Sequence, residues 1–440
     1  MTATSTAIDS ISFTDSGIHS YFAGLDEPDW LLALRKSAWQ QFQEMKWPTR
    51  EQEEWMRSDL RGFKLERYPL PKTRGELISE SIPHSLSQGV SLSGKFETLD
   101  GSVVHEHLAD GLARQGVIFG DLSRIAGTQS ELVKEFLFST LEPDQDRFAA
   151  LHAACWSGGQ LLYVPRGVCV SEPFYVNSAM SSGGSDLGHT LIVLEEGAQA
   201  TLLYESSSTE PTAAGLHVGA LEIVLKPGAH LRYVNLQDWG KSTWHFAHQR
   251  AVVDRDASLQ WTIAALGSRF AQVSQRVSLV GTGATCQVNG VMFTQGKQQL
   301  TYNTLQHHEA PHCRSDFLYK AALQDESRTV WRGMIKVDPK AFKTDGYQRN
   351  DNLLLSQQSR ADSIPGLEIL ADDVRCTHGS TSGKVDDEQI FYARSRGFTR
   401  KEAIRMIVAG FFQQIFDRIT LESVRVALGD SIARQVREYQ

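Results

Sequence analysis

Cysteine is scarce in this chain of 440 residues: there are five, at 155, 169, 286, 313 and 376, with no CxxC pair and no regular spacing. An odd, scattered set excludes a disulfide framework and predicts a reducing, cytoplasmic setting. Basic excess is also missing. Lys plus Arg number 44 against 52 Asp plus Glu, a net charge of −8, so nucleic acid is not expected as a general partner. No run of about 18 apolar residues exists, so no membrane span is expected. The first 17 residues are Ser/Thr-rich, with no basic start and no apolar stretch, which does not read as a secretory signal. Phosphate-cradling signatures are absent too: there is no G-x-x-x-x-G-K-[ST] loop and no G-x-G-x-x-G opening a helix. No G-x-S-x-G elbow appears. The chain is therefore expected to hydrolyse no ATP itself.

What is present is a recurrence. Two apolar residues, two variable ones, a Gly and a small or apolar residue appear as Tyr163-Val164-Pro165-Arg166-Gly167-Val168. The pattern returns at Val193 to Ala198, Val224 to Ala229, Val252 to Ala257 and Leu279 to Ala284, with starts 27–31 residues apart. Asp256 stands in for Gly once, which is tolerable because Asp enters left-handed geometry more readily than most residues. Flanking segments such as Leu231-Arg232-Tyr233-Val234-Asn235 and Leu259-Gln260-Trp261-Thr262-Ile263 are β-branched, aromatic or alternating. A period near 30 signals stacked units that cannot bury their apolar faces singly. The fold class is mainly β: a right-handed parallel β-helix, or β-solenoid, over 96–384. An N-terminal helical region and linker (1–95) and a C-terminal helical domain (385–440) flank it. An ordinary β-sandwich would place turns every 8–12 residues instead.

Helices are expected at both ends. Leu31, Leu34, Ala38, Phe42 and Met45 are spaced by three and four, predicting a helix from Asp29 that Pro48 stops. A second helix is predicted from Thr49, with Gln52 as its capping-box partner. The Pro/Ser/Gly-rich stretch 68–94 reads as a linker. The segment from Gln145 to Trp156 is a candidate cover for one solenoid end. Thr399-Arg400-Lys401-Glu402 is a capping box opening a helix with Ile404, Ile407, Val408, Phe411, Phe412, Ile415, Phe416 and Ile419, an apolar stripe wider than one core contact needs. A last helix follows from about Leu421.

Cys376 and His378 carry the most informative chemistry. If the backbone there is extended, they share a face, and thiolate and imidazole both bind iron, zinc or copper. Other histidines read as structural. In His307-His308-Glu309-Ala310-Pro311-His312-Cys313 the proline breaks any helix that would align ligands. His245 and His248 sit among aromatics, and His105 and His107 alternate on an exposed strand face.

The segment Asp372-Asp373-Val374-Arg375-Cys376-Thr377-His378-Gly379, continued by Asp386-Asp387-Glu388-Gln389-Ile390-Phe391-Tyr392-Ala393-Arg394-Ser395-Arg396-Gly397, resembles the C-terminal signature of the SufB/SufD family of iron–sulfur cluster assembly proteins. The likeness extends upstream through Thr344-Asp345-Gly346, Asn352-Leu353-Leu354-Leu355 and Leu367-Glu368-Ile369, and to the N-terminal segment ending Ser58-Asp59-Leu60. SufB-type members carry a cysteine after the Leu-Leu run and a glutamate after the histidine. Here Ser356-Gln357-Gln358-Ser359 follows Leu355, and Gly379 follows His378. SufD-type members carry Cys-x-His-Gly, which Cys376-Thr377-His378-Gly379 matches.

The resemblance implies a parallel β-helix that pairs with the one of SufB, and a C-terminal helical domain that docks the ABC-type ATPase SufC through Ile404, Ile407, Phe411 and Phe412. It implies that His378, with Cys376 as the lesser candidate, contacts a transient iron–sulfur cluster at the SufB interface, with no cofactor held tightly by the isolated chain, which is a non-catalytic subunit and not an enzyme by itself. A homodimer of the isolated chain stays open. The rival reading is a secreted-type β-helix enzyme acting on polysaccharides. It would need carboxylates or carboxylate–Arg sets in register on one solenoid face, and none recurs.

Overall fold

A computed structural model describes residues 12–71 and 82–436. The linker read over 68–94 therefore lies partly outside the described residues, as does most of the Ser/Thr-rich start. The repeat folds as a parallel β-solenoid of about eight turns. Each turn gives one strand to each of two facing sheets, and every strand pairs in parallel with its counterpart one turn away. Strand Ser242–Val253, for example, pairs on one side with Ala214–Leu225 and on the other with Phe270–Leu279.

The period-2 alternation of these strands sends every second residue inward. In one sheet Phe174, Leu202, Tyr233, Trp261, Val288 and Phe317 are successive register partners. All six are buried, and they form a column running up the middle of one continuous apolar core.

The Gly-turn motif is the solenoid's corner. Gly167, Gly197, Gly228, Asp256 and Gly283 have φ between 55° and 76°. Each donates its N–H to a carbonyl one turn on, as Gly197 does to Pro227 and Asp256 to Thr282. The same corner continues through His312, Lys343 and Asp373, at φ 60°, 60° and 54°. His312 N–H bonds the Phe342 carbonyl and Lys343 N–H the Asp373 carbonyl. The sequence motif stopped after five corners because the last three carry side chains where glycine is the easier occupant.

The N-terminal end is stoppered. Strand Gly94–Leu99 adds in parallel to Phe174–Met180, and Ser102–Leu108 folds back antiparallel beyond it. Within the span read as solenoid, 110–155 is mostly helical. Its last helix, Arg147–Cys155, capped by Asp146, is buried along its whole length except at Arg147. Helix Asp29–Glu44 packs on it, and Arg35 anchors the contact with an ion pair to Glu27 (2.7 Å) and bonds to the Ala154 and Trp156 carbonyls. Residues 84–86 are pinned to the solenoid by Glu205, which accepts from the Ser85 and Leu86 N–H groups.

The helix expected from Thr49 does not form. Thr49 N–H does bond Gln52 Oε1 (3.1 Å), but the chain then makes successive three-residue turns, Gln52 to Thr49, Trp55 to Gln52 and Ser58 to Trp55. Tertiary packing overrides the cap: Trp47, Trp55 and Phe63 all close on the ring of Phe148.

The C-terminal helices Asp387–Ser395, Arg400–Phe416 and Glu422–Gln435 pack on the outside of the solenoid, and the Thr399/Glu402 capping box is formed. Among the described residues no helix is long and apolar enough to cross a membrane.

Candidate functional site

The solenoid's other end is open. Strands Arg360–Ile369 and Arg375–Lys384 are the outermost members of the two sheets, and among the described residues no strand pairs beyond them. Pro365 lies in the first, where the missing N–H is tolerated only because the strand is an edge. Inward positions of this last turn are poorly covered. Leu367 and Ile369, register partners of the buried Ile335 and Val337, remain 37% and 40% exposed, and neighbouring Leu370 is exposed as well.

His378 and Cys376 sit on this rim. Both belong to Arg375–Lys384, two residues apart in extended backbone, so they share a face. That face is the inward one. Cys376 packs beside Ile335 and Val337, and its Sγ lies 3.3 Å from where a Cβ on Gly346 would stand. His378 is the register partner of Gln348, which reaches across the interior to the carbonyls of Gly333 (3.3 Å) and Gly366 (3.0 Å). The apolar column from Phe174 to Phe317 thus ends in Gln348 and then His378.

The neighbouring inward column turns polar at the same level. Asn352 donates to Ser363 Oγ (3.0 Å) and Ser382 Oγ (3.2 Å), and Ser363 bonds Asn350. On the opposite, outer face of the same strands Thr381 donates to Asp351 Oδ1 (2.6 Å), itself beside Arg349 (3.0 Å).

The two candidates differ electrostatically. Partial burial raises the Cys376 pKa, only partly offset by a bond from the Gly346 backbone, so its thiol stays protonated at neutral pH. His378 is exposed, its ring accessible to a ligand from outside the chain. Two ligands do not complete a tetrahedral site of the zinc or iron–thiolate kind, which takes four. Among the described residues no group of three or more His, Cys, Asp or Glu is placed to hold a metal ion. Any iron species here needs donors from elsewhere.

Most of the other histidines weighed from the sequence are tied into structure. His312 is a corner residue, edge-on to Phe342. His308 is buried on Ser315 (2.8 Å), and His307 bridges Glu309 (2.9 Å) and Asp338 (3.0 Å). Cys313 Sγ points at the Gly281 carbonyl. His245 stacks on His217, and His248 pairs with Asp146 (2.8 Å). His105 and His107 are solvent-exposed.

The expected ATPase-docking residues divide. Ile404 and Phe412 are buried, 3% and 0% exposed, and hold their helix against the solenoid. Ile407 and Phe411 are partly buried, and Lys320 of the solenoid donates to the Phe411 carbonyl. The outward apolar surface of this domain is instead Phe391, Tyr392, Phe398, Met406 and Val426. Helical spacing alone marked the stripe, but the face that meets a neighbour within the chain has the same spacing as one that meets a partner. Gln348, Leu367 and Ile369 carried no chemical signal of their own. Only the register places them at the rim.

Two family models match the chain. Residues 175–411 match the SufBD core domain of the SUF system for FeS cluster assembly, and residues 24–176 match the SufBD protein N-terminal region. The chain is 27% identical over 414 residues to the iron–sulfur cluster assembly protein SufB of Bacillus subtilis, covering 90% of this chain and 87% of that protein. It is equally identical over 411 residues to an iron–sulfur cluster assembly SufBD family protein of Staphylococcus haemolyticus, with the same coverage.

Proposed function

Because the chain belongs to the SufBD family of the SUF system for iron–sulfur cluster assembly, we propose that it is the SufD-type scaffold subunit of an assembly complex. It pairs through its open solenoid end with a SufB-type partner and carries a SufC-type ATPase on its C-terminal helices. The observation that carries this reading is the half-built ligand set at an uncapped end: His378 on the inward face of the last turn, beside unpaired strand edges and the exposed Leu367 and Ile369. Exposed strand edges invite pairing with another chain, and a bare apolar solenoid end calls for a cap. A second solenoid of like cross-section meets both needs and brings further donors to His378.

The cluster is cargo rather than a resident group. A neutral imidazole can ligate iron and release it, so His378 is the residue assigned to contact the nascent cluster, with Cys376 behind it. The C-terminal domain presents Phe391, Tyr392 and Met406 outward, the type of aromatic and flexible apolar side chains that anchor interfaces. Nucleotide hydrolysis belongs to the ATPase partner, which would strain or open the paired solenoid ends as it closes. Co-expression with SufB- and SufC-type subunits tests this: the chain should co-purify with both, and Leu367→Asp with Ile369→Asp should release the SufB-type partner while leaving the chain folded. Retention of that partner by the folded double variant would rule out the open end as the pairing surface.

A further inference from the structure

On the outer face of one sheet, Arg250 and Arg276 are direct register partners on adjacent parallel strands. Strands are spaced about 4.8 Å apart, and like charges placed side by side in a sheet destabilise it. Arg276 has carboxylate company in Glu309 (3.7 Å). Arg250 has none in contact: it is only 6% exposed and forms no ion pair among the described residues, although Asp146, Glu54 and Glu222 act on it from further off. Its hydrogen bonds go to neutral oxygens, the Gln249 and Ser274 carbonyls (2.9 and 2.8 Å), Ser274 Oγ (3.2 Å) and Gln145 Oε1 (2.6 Å). Burial, and next the charge of Arg276, pull its pKa down to about 10 against the opposing pull of Asp146, Glu54 and Glu222, so it is still cationic at neutral pH. A desolvated guanidinium with no carboxylate in contact is costly.

Arg250 lines a cavity of about 420 Å³ between the 140–145 segment and this sheet. Asn303 lines the same cavity. It stands between Ser274 and Arg332 in register and is 7% exposed, and its Nδ2 is buried with no hydrogen-bond partner. An unpaired buried donor is unfavourable unless something accepts from it. Arg332 and Lys336 also face the cavity, each already paired, with Glu53 (2.7 Å) and Glu368 (3.4 Å). Glu54, Glu142 and Glu368 also line it, so a bound anion must be small enough to sit against the cations and away from these carboxylates.

We propose that this cavity is a binding site for a small oxyanion, phosphate or carboxylate, held by Arg250, Arg276 and Asn303 Nδ2. Such an anion gives the buried guanidinium a counter-charge in contact and offers an acceptor to the unpaired amide, two separate needs met at one place.

The test is thermal unfolding of the full chain at constant ionic strength, titrated with inorganic phosphate, acetate or chloride. Phosphate, acetate or both should raise Tm saturably, by mass action on the folded state, and chloride should not. Which anion acts identifies the class. Arg250→Gln should weaken the response about tenfold or more, as loss of a charged hydrogen bond does. Asn303→Asp provides its own carboxylate beside Arg250, so it should raise Tm in anion-free buffer and abolish the response. This second variant decides the matter should Arg250→Gln fail to fold. A chloride effect equal to that of the oxyanions, no effect of either oxyanion, or an undiminished response in Asn303→Asp would overturn the proposal.

Discussion

His378 stands directly beside Gln348 in parallel register, at the end of a column that is apolar from Phe174 to Phe317. Gln348 spans the interior to the opposite sheet, whereas His378 has, among the described residues, no turn beyond it to face. An interior position has become a surface position simply because the stack stops.

That position sets an order of effects. In a reconstituted complex, His378→Ala should lower iron content and cluster absorbance more than Cys376→Ala, without loss of complex. The protonated, half-buried Cys376 thiol is the poorer ligand. Normal clusters with His378→Ala would leave the chemistry wholly with the partner.

Docking of the ATPase should depend on the outward side chains. Phe391→Asp combined with Met406→Asp is expected to abolish capture of a SufC-type subunit while the solenoid stays folded. Phe412→Ala, by contrast, empties a fully buried site and should cost about 3–5 kcal/mol of stability. Pull-down assays with parallel denaturation curves separate the two.

The corner offers a stabilising change. Lys343 holds φ 60°, a conformation that costs a side-chain-bearing residue about 1–2 kcal/mol and glycine little. Its ion pair with Asp373 (3.0 Å) is exposed and contributes little. Lys343→Gly should therefore stabilise the chain by about 0.5–1 kcal/mol after glycine's larger unfolded-state entropy is counted. A lower denaturation midpoint would contradict this.

Acid should destabilise the fold early. Burial lowers the pKa of His152 and His245 well below the ordinary value and that of His308 to about 4. Unfolded, each binds a proton below about 6.5. Their contribution is therefore complete above that pH and falls as pH drops toward the folded values, with about three protons taken up on unfolding near pH 5.5. His307 runs the other way. Burial opposes its protonation, but bonds to Glu309 and Asp338 prevail and raise its pKa, so its share is present below about 6.5 and lost as pH rises through the folded value. Thermal melts between pH 7.5 and 5.5 should show falling Tm, with a shallower slope in His245→Phe.

The solenoid was legible because its corners demand a rare backbone conformation, and glycine at four of the first five positions advertises it. His312, Lys343 and Asp373 meet the same demand silently, so the last three corners had to be seen. The pair Cys376 and His378 was legible as chemistry, but not the fact that their face points into an open end, which depends on how many turns are stacked. The false helix at Thr49 and the inward turn of Ile404 and Phe412 share a cause. Caps and apolar spacing describe one segment, while Phe148 and the solenoid wall decide where that segment can lie.

The molecule closed at one end and open at the other should loosen unevenly. Each turn contacts only its neighbours, so opening costs least where one neighbour is missing. Amide hydrogen exchange should be fastest in Arg375–Lys384 and slow progressively toward the helix-stoppered end. When a partner solenoid abuts the rim, that gradient should vanish and the last strand should exchange like an interior one. The frayed end would then report assembly in solution through the chain's own amides.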